Sequence, residues 1–251
     1  MRHFLQSSGI QKIEAMSSGQ TLYAFDFDGT LAKIVKEPIE ARMSDQTEDL
    51  LLRLSKKVTV AVISGRSQAD LRSRVPSDVP YTIGNHGIEG VGVRKDQFEK
   101  ARRTAQAWKR QLRRFLTESL FRQVEMEDKT FSLTLHYRKS RKKNEVKTHL
   151  LQFAQAMENR PRVILGKSVL NLVPSDVPHK GLALLRLMKM TGASRALYVG
   201  DDDTDEDVFS LRDPRICSIR VGVKKTSQAP YYLRRQSEIN ALLKRLLRSQ
   251  E

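Results

Sequence analysis

A single cysteine, Cys217, in a chain of 251 residues leaves no partner for an internal disulfide and no second thiolate for a metal site. Flanked by Ile216 and Ser218 in an expected strand, it reads as core. Long apolar runs are missing as well. No stretch approaches the ~18 consecutive apolar residues of a membrane span, and residues 1–20 hold no continuous apolar leader segment. A cytoplasmic protein with no membrane partner is the expectation. Carboxylates are scarce relative to bases: 29 Asp and Glu face 45 Lys and Arg, a formal net charge of +16. Such an excess draws polyanions, acidic surfaces or anionic small molecules. The bases concentrate at residues 100–114 and 138–147, whereas the carboxylate clusters lie nearer the two ends. Few aromatics interleave with the arginines of residues 100–114, and the apolar positions there have the spacing of a packing face. A nucleic-acid or acidic-surface binding module is the rival this charge suggests, and nucleic acid is not the expected partner.

What is present is organised around residues 22–30, Leu-Tyr-Ala-Phe-Asp-Phe-Asp-Gly-Thr. A short apolar run rich in β-formers and closed by glycine reads as a buried strand ending at a loop. Asp26 and Asp28 alternate with Phe25 and Phe27, which sets two carboxylates on one side of the backbone where the strand ends. Two such carboxylates repel, and a hard cation with oxygen ligands, Mg²⁺, is what keeps both ionised. A second β-branched run at 58–63 ends at Ser64-Gly65-Arg66-Ser67, a hydroxyl and backbone N–H groups at a helix opening that suit a phosphate oxygen. A third short strand at 81–83 leads into Gly84-Asn85-His86-Gly87-Ile88-Glu89-Gly90. Strand, helix, strand with polar strand ends is the parallel α/β pattern, in which reactive groups gather at the carboxyl edge of the sheet.

The period then changes. Phe98, Ala101, Ala105, Trp108, Leu112, Phe115 and Leu116 predict an amphipathic helix of about five turns. A hairpin over 124–138, a second helix around Val146, Leu150 and Phe153, and a strand pair over 162–173 turned at Gly166 follow. The α/β pattern resumes with a helix over 181–190, a strand at 196–199 and the acidic loop 200–207, Gly-Asp-Asp-Asp-Thr-Asp-Glu-Asp. That loop is not a calcium loop, because its sixth and twelfth positions fail the pattern. Gly166-Lys167-Ser168 likewise lacks the earlier glycine of a nucleotide P-loop. The expected fold class is α/β, a doubly wound and mostly parallel sheet over 1–90 and 175–251, interrupted by an inserted α+β domain over 91–174.

Asp-x-Asp-Gly-Thr, Ser-Gly, the late Lys180 and Gly-Asp-Asp, in that order and at those strand ends, resemble the haloacid dehalogenase-like phosphohydrolases over most of the chain. The resemblance implies Asp26 as the nucleophile toward phosphorus and Asp28 as the acid and base, positioned by Thr30. It implies Ser64, Gly65 and Lys180 as the phosphate site, with Lys180 offsetting the repulsion between nucleophile and phosphate. Mg²⁺ would be held by Asp26, the backbone carbonyl of Asp28 and Asp201, with Asp202 or Asp205 in support. The inserted region resembles that of trehalose-6-phosphate phosphatases. Asn85, His86 and Glu89 match the segment near the sugar; Glu127 and Lys129, followed by Leu135-His136-Tyr137-Arg138, match the segment that grips glucose hydroxyls. Gly166-Lys167-Ser168-Val169-Leu170 also matches, but Asn171 stands where the family usually has glutamate. An amide keeps a hydrogen bond and loses a charged acceptor, which bears on sugar identity. The resemblance therefore implies an Mg²⁺-dependent phosphatase acting on a sugar phosphate in trehalose biosynthesis and linked to a trehalose-6-phosphate synthase; a monomer is the expectation. Sucrose phosphate and a glycosyl glycerate phosphate are the alternatives within the fold. A catalytically silent domain supporting a trehalose-synthesis partner is the third reading.

Overall fold

The computed structural model describes residues 1–250 except 18, 19, 91, 167 and 176. The expected boundary at 91 and Lys167 therefore fall outside the described residues. Elements are numbered along the chain, which divides into two compact units, Met1–Gly92 with Pro178–Glu251, and Val93–Val177.

The first unit is built on seven strands: β1 (Arg2–His3), β2 (Thr21–Phe25), β3 (Thr59–Ile63), β4 (Tyr81–Ile83), β9 (Arg195–Gly200), β10 (Ile216–Val221) and β11 (Tyr231–Leu233). They lie in the order β1-β11-β10-β9-β2-β3-β4, every pairing parallel. Parallel strands buried on both faces read as continuous apolar runs, and alternate residues of one run pack on opposite faces. Tyr23 and Phe25 of β2, with Leu197 and Val199 of β9, face a core completed by α1 (Ser7–Ser17), α2 (Asp45–Ser55) and α9 (Ile239–Arg248). Leu22, Ala24, Ala196 and Tyr198 face the opposite core with α7 (Lys180–Thr191) and α8 (Glu206–Phe209). Short α3 (Gln68–Arg72) is capped by Ser67, whose hydroxyl accepts from the Asp70 N–H. Residues 1–20, unassigned from sequence, supply edge strand β1 and helix α1; β11 is a further strand that the sequence did not announce. Cys217 is buried in β10 as expected, its thiol pushed up to about 12 by burial.

The second unit is an antiparallel sheet of β5 (Glu125–Asp128), β6 (Leu133–His136), β7 (Arg162–Gly166) and β8 (Val169–Val173) in the order β5-β6-β8-β7. Leu133, Leu135, Leu170 and Leu172 pack with Trp108 and Leu112 of α4 (Lys95–Phe115) and with Leu150 and Phe153 of α6 (Lys143–Ala156). A one-turn helix, α5 (Glu118–Phe121), follows α4. The Trp108 indole donates to the carbonyls of Glu158 and Asn159, tying α4 to the turn that follows α6. Among the described residues no helix is long and apolar enough to cross a membrane.

Candidate active site

β2 and β9 are neighbours in register, Phe25 beside Val199, and the Asp26 N–H extends the ladder by one bond to the Val199 carbonyl (2.8 Å). The chain segments that carry carboxylates thus leave the sheet side by side. Two glycines let them close in. Gly29 has φ +83, and a Cβ there would run into the Asp201 carboxylate; a Cβ on Gly200 would run into that of Asp205. Glycine's missing side chain is therefore what allows this approach.

One oxygen from each of Asp26, Asp201 and Asp205 lies within 4.8 Å of the others. Lys180, the first residue of α7, sends its ammonium between two of them: Nζ donates to Asp26 Oδ1 at 2.7 Å and to Asp205 Oδ1 at 2.8 Å. Asp26 is 4%, Lys180 2% and Asp205 0% exposed. Buried charges persist only when paired and hydrogen-bonded, and Asp205 meets that demand in full. Its Oδ1 also accepts from the Tyr198 hydroxyl (2.6 Å) and its Oδ2 from the Asp202 N–H (2.8 Å). Burial, then Asp205, pushes the Tyr198 phenol far up, so it stays a donor. Asp202 turns elsewhere, its Oδ1 accepting from the Asp203 N–H at 2.7 Å and capping the turn; burial raises its carboxyl.

The cluster carries more negative charge than Lys180 offsets. Burial, opposed by Lys180 and reinforced by Asp205, pushes the Asp26 carboxyl up to about 7. Burial, with the charges of Asp26 and Asp205, pushes Asp201 up to about 9. Burial alone would lower Lys180, but Asp205 and Asp26 outweigh it and raise its value. Asp201 Oδ1 is buried without a hydrogen-bond partner among the described residues. An all-oxygen set with a spare buried acceptor and mutual repulsion fits a hard divalent cation.

Asp28 stands apart from this cluster. Both its oxygens are taken by the guanidinium of Arg66, Nε to Oδ2 at 2.6 Å and Nη2 to Oδ1 at 2.7 Å. The Thr30 hydroxyl, expected to position Asp28, is buried with no hydrogen-bond partner among the described residues. Ser64 is buried at the end of β3, its Oγ accepting from the Arg66 N–H (3.2 Å) and its own N–H donating to the Ile83 carbonyl. The loop after β4 is bound to this turn: the Asn85 N–H donates to the Arg66 carbonyl at 2.6 Å and the His86 N–H to that of Ser64 at 2.9 Å. Asn85 and His86 hold φ values of 48 and 58, left-handed backbone that is unfavourable for both. A Cβ on Gly65 would collide with the His86 ring. Glu89 Oε2 accepts from the Gln68 N–H at 2.6 Å, so this carboxylate serves the first turn of α3.

In the second unit, Glu127, Thr134, Asn171 and Ile164 occupy one cross-strand row on the face away from the leucines. Glu127 Oε2 lies 2.9 Å from His136 Nε2 and 3.9 Å from Lys129 Nζ. Asn171 is buried; its Oδ1 accepts from the Thr134 hydroxyl at 2.8 Å.

Sequence reading missed Arg66 and Tyr198. Arg66 follows Ser-Gly directly and was the available signal; Tyr198 looks like any apolar strand residue, and only the packing shows its hydroxyl meeting Asp205.

A parallel sheet wound this way, with carboxylates at the ends of β2 and β9 and an inserted antiparallel unit, is the haloacid dehalogenase-like fold. Comparison with known proteins narrows the class. The trehalose-phosphatase family model matches residues 24–237, and the chain belongs to that family. It is 30% identical over 220 residues to the trehalose-phosphate phosphatase of Mycobacterium tuberculosis, spanning 84% of this chain and 55% of that protein. It is 26% identical over 261 residues to trehalose-phosphate phosphatase B of Arabidopsis thaliana, 94% of this chain and 68% of that one. The chain thus spans about half the length of the mycobacterial relative. The C-terminal domain of the C. albicans trehalose-6-phosphate phosphatase superposes with a TM-score of 0.75 at 24% identity, covering 95% of this chain and 96% of that one, a likeness of fold.

Proposed function

We propose that this protein is a phosphatase that hydrolyses trehalose 6-phosphate, with Asp26 as nucleophile. The observation that carries the reading is Asp26 itself: a buried carboxylate at a strand end, clasped by Lys180 beside two further carboxylates, in a chain of the trehalose-phosphatase family. Lys180 holds Asp26 Oδ1, which leaves Oδ2 to attack phosphorus. The new O–P bond forms as the ester O–P bond breaks, and Asp28 gives its proton to the departing sugar oxygen. Asp28 then takes a proton from water as that water attacks the acyl phosphate, releasing inorganic phosphate and restoring Asp26. Ser64 Oγ and Lys180 Nζ bind the transferring phosphoryl oxygens, and the Gly65 turn leaves room for them.

Mg²⁺ is the cation in this reading, with Asp26 and Asp201 as its side-chain ligands. When bound, it neutralises the excess carboxylate charge and polarises the phosphoryl group. Asp205, whose oxygens are already hydrogen-bonded, braces Lys180. Phosphate monoester hydrolysis is among the slowest uncatalysed reactions, so positioning, cation and ammonium must together lower the barrier by ~20 kcal/mol or more. The unit Val93–Val177 supplies sugar selectivity through Glu127 and Lys129, and a trehalose-6-phosphate synthase supplies the substrate. We place the enzyme in the cytoplasm as a monomer.

Phosphate release from trehalose 6-phosphate, with and without Mg²⁺, tests the reading. Release that stops in EDTA and returns with Mg²⁺ is expected. Release only from sucrose phosphate or a glycosyl glycerate phosphate would replace the substrate, and full activity in EDTA would remove the cation.

A further inference from the structure

We propose that Arg66 is the positioning residue that aims Asp28 at the leaving oxygen, a role that rests on the phosphatase reading above. Asp28 is 39% exposed at its side chain and has two free torsions; Arg66, only 11% exposed, removes that freedom. The guanidinium meets both carboxylate oxygens through two parallel N–H bonds, a geometry that fixes the carboxylate plane as a single bond does not. Each oxygen keeps a further lone pair, directed away from Arg66, for a proton in transit.

The guanidinium is itself held on every side. Nη1 donates to Asp70 Oδ2 at 2.7 Å, Nη2 also donates to the Pro38 carbonyl at 2.8 Å, and the Phe27 ring lies 5.4 Å from Cζ. Asp70 is gripped in turn by Arg74, Nη2 to Oδ1 at 2.7 Å, and Arg74 Nη1 reaches the Ala41 carbonyl at 2.8 Å. Phe27, between Asp26 and Asp28 in sequence, thus supports the group that orients Asp28. A surface ion pair of ordinary kind has none of this backing. The candidate for the task from sequence, Thr30, makes no hydrogen bond through its hydroxyl among the described residues.

Proton transfer to the leaving group matters for a sugar alkoxide and hardly at all for a nitrophenolate, which departs without help. Because kcat/KM reads only the steps through departure of the leaving group, the comparison of two esters isolates this role from the later attack of water. The experiment measures kcat and KM of wild type, Arg66→Gln, Arg66→Lys and Asp70→Asn on trehalose 6-phosphate and on p-nitrophenyl phosphate, with melting temperatures. For Arg66→Gln, kcat/KM on the sugar ester should fall roughly 100-fold, the lower end of general acid–base contributions. On the aryl ester kcat and KM should fall together, leaving kcat/KM within about threefold of wild type. Arg66→Lys should recover part of the sugar-ester loss, since an ammonium cannot form the fork. Asp70→Asn, which leaves the Asp28 pair intact, should lose a few-fold with the same ester preference. Equal loss of kcat/KM on both esters, a change in KM alone, or no loss in Arg66→Gln would overturn the role. A wild type active on another sugar ester but not on trehalose 6-phosphate would sink the substrate reading alone, and the same ratio on that ester would still decide Arg66. A wild type inactive on both a sugar and an aryl ester would sink both.

Discussion

The carboxylates that follow β2 and β9 and those on the sheet of the second unit differ in how much their surroundings leave undecided. Asp26 and Asp205 are buried and share one ammonium, and Asp205 sits where Gly200 alone leaves room for it. Glu127 is half exposed at its side chain and paired with His136 and Lys129, partners that solvent can replace. Buried charge is over-determined because every unpaired atom costs dearly in low dielectric, whereas exposed pairs cost and gain little. Chemistry at a fixed phosphorus atom suits the first arrangement. Recognition of sugar hydroxyls suits the second.

The largest effect expected on this contrast comes from Asp26→Asn. The amide is the same shape and can still accept from Lys180, but it cannot attack phosphorus, so phosphate release should drop below detection while the melting temperature stays near or above wild type. Residual turnover above roughly a hundredth of wild type would mean that another group is the nucleophile.

Next is Lys180→Met, which leaves Asp26 and Asp205 buried without their cation. Breaking one side of a buried pair costs about 3–5 kcal/mol, and the loss should show as a lower denaturation midpoint as well as lost activity. The pH dependence of wild type sharpens the point. With Asp26 raised to about 7 and Asp201 to about 9, the metal-free folded state holds protons that the unfolded chain has released above about 4. Stability should therefore fall as pH rises from about 4 to 9, and a divalent cation should restore it most at the upper end. Melting curves across that range with EDTA and with Mg²⁺ measure it; a flat profile would show that the cluster is relieved by some other means.

The contrast also explains what sequence could and could not show. Asp26 and the 200–207 loop were legible because a buried strand leaves a plain apolar run, and carboxylates directly after it stand out. The parallel sheet followed from the same runs. β1 and β11 escaped because a strand of two or three residues has no periodicity to read, and Arg2-His3 offers no apolar signal. Which of the four aspartates in 201–205 meets Lys180 was also hidden. Asp202 and Asp205 differ only in where the turn carries them, one capping a backbone amide and the other facing the ammonium. Arg66 was in view but its partner was not: a single sequence does not reveal which carboxylate a guanidinium will find 38 positions away.

A smaller effect is expected from Glu127→Ala. Removing a half-exposed carboxylate should move stability by less than about 1 kcal/mol. KM for trehalose 6-phosphate should rise roughly tenfold, about the worth of one charge-assisted hydrogen bond, while p-nitrophenyl phosphate kinetics stay unchanged. Equal loss on the two esters would place Glu127 in service of the phosphoryl group and break the division between the two regions.

Asn171→Ala should be smallest in kinetics and is the more revealing for it. Glu127 and Asn171 share a cross-strand row, yet Asn171 is buried and its Oδ1 is taken by the Thr134 hydroxyl. The substitution strands that hydroxyl without its acceptor, a cost of about 1–3 kcal/mol that should appear as a lower melting temperature. With its amide oxygen committed inside the sheet, Asn171 should contribute to KM by less than threefold. The double variant with Thr134→Val removes the stranded hydroxyl and should recover part of the stability, because two apolar groups leave no polar atom unpaired. A KM rise as large as that of Glu127→Ala would instead mean that Asn171 leaves Thr134 to meet the sugar, and the buried end of the row would then belong to recognition as much as the exposed end.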